Sequence, residues 1–183
     1  MRVGIHQPNF MPWLPWWQKM EQCDLFVILG RCQFEKGKFQ NRFNHDGKWY
    51  TMAVEKGNIP IREKKYKDPQ FSWSKIKKSL PGYNLDQLDW TISTDLWLTN
   101  CGIILQLKHN LGIHTEMTFD EPTDKTGTDR LVEICQQHGA TEYLAGASGG
   151  DYMDYSLFDQ AGIKVITQET KPEDKVSILH KLK

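Results

Sequence analysis

The feature that most restricts this chain is an uninterrupted apolar run, Leu25-Phe-Val-Ile-Leu29, preceded near the start by a shorter one, Val3-Gly-Ile5. A strand with one wet face alternates polar and apolar side chains. A run without alternation is covered on both faces, the habit of parallel strands, and parallel neighbours must be joined by a crossover. Trp13 to Cys23 predicts that crossover as a helix. Pro12 stands at its start, where a missing N–H is no loss, and Pro15 is still within the first turn. Strand, helix and strand make a βαβ unit.

The same rhythm returns in the second half. Thr94 to Leu111 predicts a long helix with apolar positions at Leu98, Ile104, Leu105 and Leu111, closed by Gly112. Thr115 to Phe119 is a strand. Thr126-Gly-Thr-Asp129 resembles a capping box ahead of a helix that carries Leu131, Ile134, Cys135 and His138 on one face. Tyr143 to Ala145 is a strand, Asp151 to Ala161 a helix, and Lys164 to Gln168 a last strand. The expected fold is α/β: a Rossmann-like, doubly wound, mostly parallel sheet.

Between the two halves the pattern changes. Gln40 to His45 and Lys48 to Val54 flank Asp46-Gly47, a strong signal for a β-hairpin. Glu55 to Asp68 is polar and lysine-rich and reads as an exposed loop, and Phe71 to Leu80 as a short helix stopped by Pro81-Gly82. Residues 1–183 are thus expected to form a single α/β domain with a basic hairpin lobe inserted at approximately 31–80. Charge supports the lobe. Overall 23 basic side chains balance 23 acidic ones, but residues 31–78 hold 13 basic against 5 acidic, and the remainder 10 against 18. An acidic body carrying a lobe of net charge +8 points to an anionic partner that the neutral total conceals.

Other classes fall away. A hydrophobic fraction of 39% excludes wholesale disorder. The longest apolar run is far too short to span a bilayer, and the N-terminus carries no apolar signal segment, so no membrane partner and a cytoplasmic location are expected. Cys23, Cys32, Cys101 and Cys135 form no CxxC pair, which suits reduced, partly buried thiols. Asp151 and Asp154 have no partner at metal-ligand spacing, so neither a metal nor a cofactor is assigned.

Ligands of doubly wound sheets bind beyond the carboxyl ends of the strands. His6 and Gln7 follow the first strand on that side. His6 either takes a proton from an amine or hydroxyl, or bonds nearby backbone and shapes the loop. Gly146-Ala-Ser-Gly-Gly-Asp151 lies between strand and helix, where backbone amides can hold a phosphate or carboxylate, or where Ser148 or Asp151 simply caps a turn. In the lobe, Gln33-Phe-Glu-Lys-Gly-Lys-Phe-Gln-Asn-Arg42 interleaves cationic, amide and aromatic groups. Lys36, Lys38 and Arg42 can grip phosphates while Phe34, Phe39 and Trp49 stack on a base or pack beneath the hairpin. The lysines of 64–67 and 75–78 read as a solvated face. Trp13, Trp16 and Trp17 are core by spacing, with one able to wall a pocket.

Together, Ile5-His-Gln-Pro-Asn-Phe-Met-Pro-Trp13, Gln33-Phe34, Gln40-Asn-Arg42, Thr128-Asp-Arg-Leu131, Tyr143-Leu-Ala-Gly146, Gly150-Asp-Tyr152 and Phe158-x-x-Ala-Gly-Ile163 resemble the WbqC-like family, in order and over nearly the whole chain. The resemblance implies a glycine- or aminoacyl-type transferase, often associated with surface polysaccharide synthesis. It departs at Gly30-Arg31, where family members commonly carry paired aspartates, and the chain is short between Lys78 and Asp95 and at its C-terminus. The reading that follows is a transferase with an amino-acid donor and a phosphate-bearing acceptor, either a sugar nucleotide or an activated base in phage DNA. His6 is assigned as base, Gln7 and Asn41 as orienting groups, and Lys38 and Arg42 as phosphate-stabilising cations. Asn9, Trp13, Gln33, Asp129, Arg130, Gly146, Ser148 and Asp151 are assigned to substrate binding. A non-catalytic sugar-nucleotide or nucleic-acid module is the alternative.

Overall fold

The computed structural model describes residues 1–182 other than 84, 86, 87, 89, 90, 148 and 150–152. Five strands, β1 (Arg2–His6), β2 (Leu25–Ile28), β5 (Glu116–Phe119), β6 (Glu142–Ala145) and β7 (Lys164–Thr167), form one sheet in the order β5-β2-β1-β6-β7. Every pairing in it is parallel. A separate antiparallel hairpin is formed by β3 (Arg42–His45) and β4 (Lys48–Thr51).

This order sets the face on which each connecting helix lies. The chain leaves β1 through helix α1 (Leu14–Glu21) to β2, then reaches β5 through the lobe and helix α3 (Leu96–Asn110). It then returns across the sheet through α4 (Gly127–Gln137) to β6 and through α5 (Tyr155–Gln160) to β7. Right-handed crossovers that reverse direction must place their helices on the opposite face. Side chains on alternate strand positions record the two layers. Phe26 and Ile28 share a core with Trp16 and Met20 of α1 and Ile104 and Leu107 of α3. Val3, Ile5, Leu25 and Val27 share the other with Ile134 and Cys135 of α4 and Phe158 of α5. The expected doubly wound α/β fold is present, with the direction of winding reversing between β1 and β6.

The lobe joins the first core, to which Phe43, Tyr50, Ile61 and Trp73 belong. Asp46 and Gly47 have φ of 49° and 78°, the left-handed pair that a two-residue hairpin turn needs. Helix α2 (Pro69–Lys78) follows. Several local expectations are corrected. Residues 55–68 are not an exposed loop: Ile61 and Tyr66 are buried, and bridges pair Val54 with Tyr66 and Lys65 with Asp95. Lys64 leaves the solvated face assigned to it. It is buried with Nζ donating to the Gly57 carbonyl at 2.7 Å and standing over the Phe34 ring. On α3, Leu98 and Leu105 are exposed, and Trp97, Cys101, Ile104 and Leu107 make the inner face. Thr126 precedes α4 without a side-chain cap, and α5 begins only after Asp154, whose carboxylate accepts from the Ser156 amide. These errors share a cause. Helical spacing fixes which residues share a face, but not which face the rest of the fold covers.

One position at the sheet edge has no room for a side chain. A Cβ on Gly30 would lie 2.0 Å from the Trp97 ring. Gly30→Ala is expected to destabilise the protein by about 1–3 kcal/mol, the usual cost of overpacking a filled core. An unchanged denaturant midpoint would show that Trp97 gives way freely.

Candidate functional site

The winding reverses between β1 and β6, and doubly wound folds bind ligands beyond the strands' carboxyl ends at such a reversal. His6 ends β1 there. Nδ1 lies 3.1 Å from the Gln7 carbonyl, an acceptor, so Nδ1 carries the proton and Nε2 is left as the accepting nitrogen. Trp16 packs edge-on against the ring. Burial, with a smaller push from the Lys19 ammonium, lowers the His6 pKa to about 3. The imidazole is therefore neutral at ordinary pH. Lys19 is itself buried and lowered to about 8 by burial, with Nζ donating to the Ile5 carbonyl at 2.7 Å.

Gln7 reaches away from His6 toward the lobe. Its Nε2 donates to Cys32 Sγ at 3.3 Å, and its Oε1 accepts from Gln40 Nε2. Burial pushes the Cys32 thiol up to about 11, so it remains protonated and is no nucleophile near neutrality. All four cysteines are free. Behind this chain of contacts lies Asn100 of α3. Its Nδ2 donates to the Pro8 and Gln40 carbonyls at 2.8 and 2.7 Å, and its Oδ1 accepts from the Tyr66 hydroxyl at 2.6 Å.

A second group sits where β2 and β5 end. Asp120, 3% exposed, accepts from the Gly30 amide at 2.8 Å and the Arg31 amide at 3.1 Å, and pairs with the Arg130 guanidinium from the first turn of α4. Arg31 Nε donates to the Asp120 carbonyl. Arg130 Nε is buried and has no partner among the described residues.

The predicted site residues divide between this edge and the lobe. His6, Gln7, Arg130 and Gly146 stand at the strand ends, Gly146 accepting from the Gly149 amide at 2.8 Å. Asp129 is exposed beside Arg130. Asn9 and Trp13 instead line a cavity of about 150 Å³ with Phe39, Phe43, Asn44 and residues of the C-terminal segment. Trp13 stacks on Phe39, and Phe39 leans on Trp49. The Arg42 guanidinium lies 4.1 Å from the Trp49 ring centre and donates to the Gly37 carbonyl. Lys38 is exposed. Among the described residues, no hydrogen bond or ion pair joins Lys38 or Arg42 to His6. Gln33 holds Asn58 and Ile59, and buried Asn41 donates to the Met52 carbonyl at 2.7 Å. Ser148 and Asp151 lie outside the described residues. Sequence reasoning missed Asp120, although it follows β5 as His6 ends β1, so the same rule would have selected it. It also gave no role to Cys32, which carries no signal of its own, or to Gln40, which appears there only within motifs such as Gln40-Asn-Arg42.

A family model described as the WbqC-like protein family matches residues 7–175. The chain belongs to the WbqC-like family. An uncharacterized protein of Mycobacterium tuberculosis, Rv1507c, is 27% identical over 185 residues, covering 90% of this chain and 80% of its own length. No solved structure matches. No helix among the described residues is long and apolar enough to cross a membrane.

In this WbqC-like protein the Trp97 ring fills the side-chain space at position 30. A carboxylate does stand beside Gly30 and Arg31, but it comes from Asp120 and is bound to their amides and to Arg130.

The Asp120–Arg130 pair and the neutral His6 each yield a prediction. Arg130→Met should cost about 3–5 kcal/mol by stranding the Asp120 charge, and the Asp120→Asn/Arg130→Met double variant should cost less than the two single changes summed. Additive losses in denaturation would refute the coupling. The second concerns pH. The His6 pKa is about 3 folded against an ordinary 6.5, so between those values the unfolded chain binds more protons. The corresponding stability is complete above pH 6.5 and is lost as pH falls toward 3. His6→Gln should flatten this part of the stability profile; an unaltered acid limb would rule out a His6 held neutral by its surroundings.

Proposed function

We propose that this WbqC-like protein is a transferase that joins a small amine donor, glycine or another amino acid, to a phosphate-activated acceptor. The observation that supports it is the placement of His6 at the β1–β6 reversal, on the same sheet edge as the Arg130 guanidinium. A phosphate-bearing ligand beyond those strand ends would meet the Arg130 guanidinium on one side and a proton acceptor on the other.

The chemistry assigns each group a task. The donor nitrogen attacks the activated acceptor atom as the bond from that atom to the phosphate oxygen breaks. The nitrogen's proton passes to His6 Nε2, and the electron pair of the broken bond leaves with the phosphate. A histidine whose pKa is about 3 is a poor base on its own. A phosphate anion bound near the ring would counter the Lys19 ammonium and favour the imidazolium, so acceptor binding would raise the basicity of His6. Gln7 and Asn41 orient, Arg130 presents its guanidinium, and Asp129 accepts a hydrogen bond from the donor, which attacks as its free amine. Lys38 and Arg42 serve an acceptor long enough to extend from the sheet edge to the lobe.

The aromatic run Trp13, Phe39 and Trp49, capped by Arg42 and flanked by exposed Lys38 and Lys48, favours a nucleic-acid acceptor as a second reading. Stacking rings beside cations suit an extruded base and its phosphates better than they suit a small sugar nucleotide. A non-catalytic module would use the same surface for binding alone.

Mass spectrometry after incubation with amino acids and activated sugar nucleotides or bases tests the reading. A transferase gives an amino-acid mass increment on the acceptor, and His6→Ala lowers its rate by about 100- to 10,000-fold while circular dichroism stays unchanged. Ligand binding without any increment would leave the non-catalytic module. Steep weakening of DNA binding with salt would select the nucleic-acid acceptor, and no binding at low salt would leave the small molecule.

A further inference from the structure

Away from the strand ends, the hairpin tip and the C-terminal segment bring together two imidazoles and a carboxylate. His45 closes β3, and Asp46 follows it in the turn. His180 comes from a distant part of the chain, on the 3-10 helix Ile178–Lys181. His180 Nε2 lies 3.0 Å from Asp46 Oδ1, and His45 Nε2 lies 3.4 Å from Asp46 Oδ2. The two imidazole rings are 4.8 Å apart, centre to centre. One donor atom from each of the three residues can be chosen so that all lie within 4.8 Å of one another.

We infer that His45, Asp46 and His180 form a binding site for a divalent transition metal of the zinc class. Ligands 2.0–2.2 Å from a tetrahedral ion are about 3.3 Å from each other; each imidazole already stands at about that distance from one Asp46 oxygen, His180 from Oδ1 and His45 from Oδ2, and a set with one atom from each residue lies within 4.8 Å. Two nitrogens and one carboxylate oxygen favour Zn²⁺, Co²⁺ or Ni²⁺ over Mg²⁺ or Ca²⁺, which require oxygen cages. The carboxylate supplies the negative charge that would retain the cation.

The supports of the three ligands are firm. His45 is buried and meets the Tyr83 ring edge-on. Asp46 is held at φ 49° by the two-residue turn. His180 is carried by buried Ile178 and Leu179, and the segment is tied to the start of α1 by the Leu14 amide donating to the Val176 carbonyl at 3.0 Å. Only short side-chain movements are needed to bring the imidazoles around one ion. Three protein ligands leave one tetrahedral position open, and Asp46 and His180 line the same 150 Å³ cavity as Asn9 and Trp13. The ion would pin the C-terminal segment to the hairpin and offer that cavity a cationic centre for an anionic oxygen.

The test uses the purified chain and the metal alone. Metal-free protein titrated with Co²⁺ should take up one ion per chain, with the intense visible absorption of a four-coordinate site, and Zn²⁺ should displace it. His180→Ala and Asp46→Asn alter exposed groups, so both should fold, as circular dichroism will check. Each should weaken binding by more than about 100-fold, beyond the loss typical of a merely supporting residue. His109→Ala and His114→Ala, which change exposed histidines elsewhere, should leave affinity unchanged. Binding that survives His180→Ala, or no binding tighter than that of a His45→Ala/His180→Ala double variant, overturns the inference and leaves the trio as an ordinary ion-pair cluster.

Discussion

The buried carboxylate of Asp120 is the contact on which the carboxyl edge of the sheet depends. It follows β5, binds the two amides that follow β2, and pairs with the guanidinium that opens α4. Three segments distant in sequence thereby acquire one geometry. A carboxylate removed from water must recover its lost hydration from fixed donors, and here two amides and an arginine provide it. Because the partners come from backbone as well as side chain, the knot holds β2 and β5 in register at their carboxyl ends.

Asn100 does comparable work on the other side of His6. One amide side chain satisfies two carbonyls and a hydroxyl, joining the loop after β1, the strand leading into the hairpin and the buried Tyr66. The Gln7–Gln40 contact lies on the same line. The lobe is thus a wall of the site's surroundings rather than an appendage, since it shares a core with α1 and α3 and hydrogen bonds with the His6 loop. Burial has a chemical consequence here. The packing that positions His6 also deprives its charged form of water, so the same elements that place the ring set its proton affinity.

Fold class was legible because it rests on local pattern. Unalternating runs such as Leu25–Leu29 require cover on both faces, and Asp46-Gly47 requires a tight turn; neither depends on the rest of the chain. The position of His6, Gln7 and Gly146 at the ends of strands was legible from the same local patterns. Burial of charged side chains was not. Lys64 reads as a surface lysine in any local window, and only the closing of the lobe over Phe34 gives it a carbonyl and a ring face. Leu98 and Leu105 fail in the opposite direction, apolar by type and exposed because the sheet lies against another side of α3.

The sequence by itself determined the parallel sheet, the hairpin with its turn, the basic character of residues 31–78 and the family motifs, all properties of neighbours along the chain or of composition. Tertiary structure alone decided which residues meet across it. It set the strand order that reverses beside His6, brought Asp120 to Arg130 and the amides of Gly30 and Arg31, filled the space above Gly30 with Trp97, and placed His180 against Asp46. The reason is physical. Periodicity and turn chemistry act over a few bonds, whereas charge pairing, steric exclusion and shifted proton affinities depend on distances that exist only once the layers have packed.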